Sequence, residues 1–178
     1  MVGFFNSSQN KIQSIYDQIS DFIYRKIMGV HSLNKGAVEP NLFVGGQYNL
    51  RGLLALKAIG ITGIINMRMH SPYRENHFLG IKYLHLPTPD HGAPRMEDLI
   101  IGARFANDEI KNGGKVFIHC RQGIGRGPTM TIAYLMKKGD SFQTAISKVR
   151  KTRSFINLSH AQIIRLKELE KYYSEGGS

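Results

Sequence analysis

A chain of 178 residues with 42% hydrophobic side chains is expected to form one compact domain with a buried core, which excludes a disordered protein and a pair of ordinary domains. Its 24 Lys and Arg against 13 Asp and Glu leave a net charge of +11. That field favours anionic partners, but with no long basic run and no nucleic-acid motif, no nucleic acid is expected among them. A single cysteine rules out an internal disulfide and a Cys-rich zinc site, and no apolar run reaches the roughly 18 residues of a membrane span.

In chain order, Met1 to Asn6 show neither a basic-then-apolar leader nor a glycine at position 2, and the Gly-Gly-Ser end has no prenylation box. A cytoplasmic chain is expected, with association to a membrane surface as the variant. Ile12, Ile15, Tyr16, Ile19, Phe22, Ile23 and Ile27 form one stripe on a helix that ends at Gly29 and the polar stretch through Gly36. Packing on the main domain is the first expectation for this helix. Peripheral contact with a membrane or a partner through residues 10–28 is the second.

From Pro40 onward, strands and helices alternate. Leu42 to Val44, Gly63 to Met67, Tyr83 to Leu86 and Lys115 to His119 read as strands. Leu50 to Ile59 and Met96 to Ile110 read as helices, and three more are expected near residues 128–138, 141–152 and 159–173. Such alternation implies an α/β fold: a mainly parallel central sheet of four to five strands flanked by helices. Residues 1–36 then form an amphipathic helical extension to a main domain over 37–178.

The segment from His119 to Thr129 carries the chemistry. A β-branched and aromatic strand ends at His119, and Pro128 suits a first helical turn. Between them Cys120-Arg121-Gln122-Gly123-Ile124-Gly125-Arg126 forms a short Gly-containing turn. Its backbone N–H groups and the following helix N-terminus make a site for a tetrahedral dianion of phosphate or sulfate type. The same polarity favours the thiolate of Cys120, the reactive form. Arg126 can clamp two oxygens of the anion with its planar fork and stabilise charge in phosphoryl transfer.

His-Cys, five residues and Arg together resemble the active-site loop of the cysteine-dependent protein tyrosine phosphatase superfamily, in its small dual-specificity group. Asn41 to Gly46 and Gly63 to Arg68 extend the resemblance across roughly residues 38–173. It implies a metal-independent phosphomonoesterase that needs no cofactor and works through a cysteinyl-phosphate. It implies a general acid on a loop about thirty residues before the cysteine, where Asp90 stands within Thr88 to Pro94. Asp98 is the weaker alternative, because it falls in a helical pattern. His119 and Arg121 to Gly125 would border the bound phosphate, and Gln162 matches a position that orients the hydrolytic water. Arg68 is expected in a structural ion pair.

Gly127 departs from the pattern, since the group usually carries a Ser or Thr hydroxyl there, and Thr129 is expected to lie out of reach. Arg126-Gly127-Pro128 is similar to the phosphatases of regenerating liver, which implies slow breakdown of the phosphoenzyme. The N-terminal stripe, the charge and Arg121 are similar to phosphatidylglycerophosphate phosphatases of the same superfamily. The expected substrate is thus a phosphorylated protein, with a phospholipid head group as the alternative. A weakly active phosphate-binding module is the remaining one.

Overall fold

The structure is a computed structural model that describes residues 3–71 and 73–177, the side chains of residues 3–10, 75 and 76 excepted. The leader and C-terminal readings at residues 1, 2 and 178 lie outside it. Strand β5, Lys115–His119, occupies the centre of a five-stranded sheet because its Val116, Phe117 and Ile118 are apolar toward both faces. On one side β2, Leu42–Gly45, pairs with it in parallel. On the other side β3, Ile61–Asn66, does the same and pairs in turn with β4, Lys82–His85. The remaining strand β1, Ala37–Glu39, is an antiparallel edge on β2. Its three residues are too short to show an alternation, so periodicity does not reveal it.

The two faces of the sheet make two cores. Leu42, Ile65, Val116 and Ile118 point one way, under α3 (Met96–Lys111), α4 (Arg126–Lys137), α5 (Phe142–Thr152) and α6 (His160–Ser174). Phe43, Ile64 and Phe117 point the other way and meet Leu53 and Leu56 of α2, Leu50–Ala58. Helix α4 is buried from Arg126 through Met136 because α3, α5, α6 and the sheet surround it. Its first turn begins at Arg126, two residues before the expected start. Pro128 is therefore the third helical residue, still within the turn whose amides have no helical partner.

In the parallel register Gly45 of β2 and Asn66 of β3 both align with His119. Three strand ends thus converge where β5 gives way to the loop before α4, the position in open parallel sheets where ligands bind.

The N-terminal helix α1, Gly3–Met28, stops at Gly29, whose φ of +82° suits glycine and whose amide returns to the Arg25 carbonyl at 3.0 Å. It packs on the domain with the side opposite to its apolar stripe. Asp21 reaches Arg153, Asp17 reaches Ser154, and Arg25 reaches the carbonyl of Arg121. The stripe faces outward.

Candidate active site

The loop after β5 is organised by where its carbonyls go. Those of Arg121 to Gly125 all find donors outside the loop. The Arg121 carbonyl accepts from the Gln47 amide at 3.0 Å and from Arg25 at 3.3 Å. Arg153 donates to the carbonyls of Gln122, at 3.4 Å, and Gly123, at 3.2 Å. The Ile124 carbonyl accepts from the Asn157 amide at 2.9 Å, and Gly125 from the amide and hydroxyl of Thr129 at 2.9 and 3.0 Å. A buried carbonyl without a donor would cost about 1–3 kcal/mol, so these contacts hold the loop's outward side.

That arrangement leaves the amides of Arg121, Gln122, Ile124 and Gly125 without a protein partner among the described residues. The Gly123 amide donates to the Cys120 sulfur at 3.3 Å. Gly123 has φ +72°, and a Cβ there would lie 2.5 Å from the Gly45 carbonyl carbon, so only glycine permits the bend. The result is a concavity of about 220 Å³ lined by Cys120 to Gln122, Ile124 to Arg126, and Asp90, His91, Asn157, Ser159 and Gln162. Donors and a helix N-terminus surround a nearly buried thiol, an arrangement suited to a small oxyanion.

The side chain of Arg126 is buried, and each edge of its fork is engaged. Nη1 donates to the Thr88 carbonyl at 2.7 Å and the Met67 carbonyl at 3.4 Å, while Nη2 meets Asp90 Oδ1 at 2.8 Å. Asp90 remains more than half exposed, at the rim of the concavity. Its loop is tightly turned, with the Gly92 amide on the Pro89 carbonyl at 3.0 Å and His91 at φ +60°. Asp98 lies elsewhere: it is fastened to Arg95 at the start of α3, at 2.8 and 2.9 Å, and does not line the cavity.

Gln162 lines the site, but its amide is committed. Its Oε1 accepts from the Ser159 amide at 3.0 Å in a capping box, and its Nε2 donates to the Gly92 carbonyl at 2.8 Å. It therefore ties the Asp90 loop to α6, where the resemblance had implied a water-orienting role. His119 is buried between Phe117, stacked at 5.7 Å, and Tyr48, edge-on at 4.9 Å. Burial pushes its pKa down to about 3, so the ring is neutral. Its Nδ1 sits 3.3 Å from the Cys120 carbonyl. It contacts the Cys120 backbone rather than its sulfur.

Arg121 contributes its exposed side chain to the rim, and the Thr129 hydroxyl donates to the Gly125 carbonyl as noted. Arg68 donates to the Gln47 amide oxygen at 2.7 Å, which corrects the expected ion pair. Arg153, Asp21 and Asn157 were not singled out from sequence. Burial works against the charge of Arg153, and the Asp21 carboxylate at 3.0 Å offsets it. The signal that marks them, a partner far along the chain, exists only once the chain is folded.

The family model "Dual specificity phosphatase, catalytic domain" matches residues 42–172. Human dual specificity protein phosphatase 1 is 34% identical over 140 residues, covering 76% of this chain but only 37% of that protein. Human dual specificity protein phosphatase 2 is 37% identical over 106 residues, covering 57% of this chain and 33% of its own length. Among solved structures, Tk-PTP in its active form has a TM-score of 0.71 at 29% identity, covering 76% of this chain and 95% of that one. PTPMT1 in complex with PI(5)P has a TM-score of 0.73 at 26% identity, covering 78% and 96%. The fold, the cysteine loop and these matches agree, and the chain belongs to the dual-specificity phosphatase family.

Proposed function

We propose that this chain hydrolyses phosphate monoesters in two steps on one thiol. The observation that carries the proposal is the meeting of Cys120, Arg126 and Asp90 at one concavity where the amides of Arg121, Gln122, Ile124 and Gly125 lack a protein partner among the described residues. A substrate phosphate takes those amides and the Arg126 fork. The Cys120 thiolate attacks phosphorus and forms the S–P bond as the ester O–P bond breaks. Asp90 gives its proton to the departing oxygen. Water then loses a proton to Asp90 and attacks phosphorus, the S–P bond breaks, and the thiolate and inorganic phosphate are regenerated.

In this scheme Arg126 changes partner. A phosphate on its fork competes with Asp90, leaving that carboxyl at the rim where the leaving group emerges. Arg121 to Gly125 cradle the anion with His119 behind them, and Gln162 holds the acid loop in place. Side chains and loop amides together supply each catalytic part, so the proposed route calls for no metal or cofactor.

The substrate class is a phosphorylated protein at tyrosine, serine or threonine, supported by the family and by the relatives' names. A phospholipid head group is the second reading, supported by the likeness to PTPMT1 in complex with PI(5)P. The proposed setting is cytoplasmic, at a membrane face reached through residues 10–28; among the described residues no helix is long and apolar enough to cross a membrane. The test is a panel of phosphopeptides, phosphoinositides and phosphatidylglycerophosphate, assayed with the native chain and Cys120→Ser. Turnover of phosphopeptides that vanishes in the variant supports the main reading, and a preference for lipid substrates replaces it with the second. Turnover that survives the substitution overturns the mechanism, and phosphate binding without turnover would leave only a binding module.

A further inference from the structure

Helix α1 is inverted. Its stripe of Ile12, Ile15, Tyr16, Ile19, Phe22, Ile23 and Ile27 is 51–68% exposed, while its two acids are turned to the domain. Asp17 sits on Lys35 at 3.3 Å and Ser154 at 2.7 Å, and Asp21 on Arg153 and Arg25 at 3.0 and 2.9 Å. A soluble monomer rarely leaves a contiguous apolar face of this kind uncovered. What remains outward is apolar, neutral or basic. Lys11 and Lys26 are exposed, and the Lys26 ammonium lies 5.5 Å above the Phe22 ring.

We infer that this face lies in the interface of an anionic phospholipid membrane. The chain's charge of +11 and the inward turn of both acids favour that surface, and they disfavour a second copy carrying the same positive charge. Apolar side chains sink below the head groups while Lys11, Lys26 and the nearby Arg51 stay at head-group level. Arg51 is close because it donates to the Ile27 carbonyl at 3.3 Å.

The location of the face relates it to the catalytic loop. Ile19 and Phe22 wall a groove of about 240 Å³ whose other side is Gln122, Ile124 and Phe155. Gln122 and Ile124 also line the catalytic concavity. A membrane that holds α1 therefore lies beside the mouth of the site. Residues 1–36 act as a docking extension, and 37–178 as the domain it presents.

Vesicle sedimentation of the Cys120→Ser chain tests this without reference to catalysis, so a failure here leaves the hydrolytic proposal standing. With phosphatidylcholine–phosphatidylglycerol vesicles the chain is expected to sediment, and raising salt should weaken the binding. With phosphatidylcholine alone it should bind less. Joint replacement Ile15→Ser, Ile19→Ser and Phe22→Ser should lower partitioning by at least about tenfold, given the transfer energy of three such side chains. Ile101→Ser, an exposed apolar control on α3, should not change it. No sedimentation, sedimentation indifferent to the triple replacement, or a dimer that the triple replacement dissolves would each overturn the inference.

Discussion

The catalytic loop has a front and a back, each with a buried arginine and an aspartate. In front, Arg126 faces the concavity with Asp90, which is more than half exposed. Behind, Arg153 braces the carbonyls of Gln122 and Gly123, and its partner Asp21 is as buried as it is. The difference follows from one constraint. A loop that turns its amides toward an anion must turn its carbonyls away, and those carbonyls need donors of their own. In the proposed scheme the front pair exchanges its partner for substrate. The back pair is committed to the fold, and half of it comes from α1.

Changes in front should therefore cost catalysis, and changes behind should cost stability first. Cys120→Ser is expected to abolish turnover while the melting temperature stays near that of the native chain; a large loss of stability would blur the division. Asp90→Ala should lower kcat by about 10²–10⁴-fold for poor leaving groups and much less for p-nitrophenyl phosphate. Equal losses for both, in steady-state assays, would remove Asp90 from the acid role.

Behind the loop, Asp21→Ala leaves a buried guanidinium unpaired and should cost about 3–5 kcal/mol in urea unfolding. Adding Arg153→Met should restore much of that stability but not the activity, since the carbonyls lose their donor. If activity returned with stability, the brace would have no part in shaping the site.

Two smaller effects sharpen the same comparison. His119 titrates at about 3 in the fold against an ordinary 6.5. The unfolded chain thus binds a proton first, and the contribution of His119 to stability is full above pH 6.5 and is lost as pH falls from 6.5 toward 3. The slope is about 1.4 kcal/mol per pH unit, and unfolding curves of His119→Asn should lack it. A matching slope in the variant would assign the effect elsewhere. At Gly127 a Cβ would sit 3.4 Å from the Cys120 amide, an ordinary contact. Gly127→Ser should fold and, by offering a hydroxyl toward the sulfur, speed phosphoenzyme breakdown by about tenfold, the worth of one hydrogen bond. Unchanged breakdown in a quench experiment would mean that glycine is not what limits the second step.

The front of the loop was legible in the sequence because it is local. Cys120 and Arg126 lie within one turn between a recognisable strand and helix, so spacing alone suggested an anion site. Asp90 needed the family resemblance, since nothing in its own neighbourhood separates an acid from a solvated turn residue. The back was not legible at all: Asp21 and Arg153 stand 132 residues apart. Periodicity found the stripe of α1 but not its direction. A polar face packs inward only where buried partners such as Arg153 await it, and those partners are set by the tertiary fold. The commitment of Gln162 to Gly92 was hidden for the same reason.

The central claim is that Cys120 becomes phosphorylated in a cradle of amides closed by Arg126. Rapid mixing of the native chain with excess p-nitrophenyl phosphate, followed by acid quench and mass measurement, tests it directly. The expected result is a burst of product close to one per enzyme, with a phosphate on the peptide bearing Cys120. A linear progress curve with the phosphate on another residue, or on none, would contradict it.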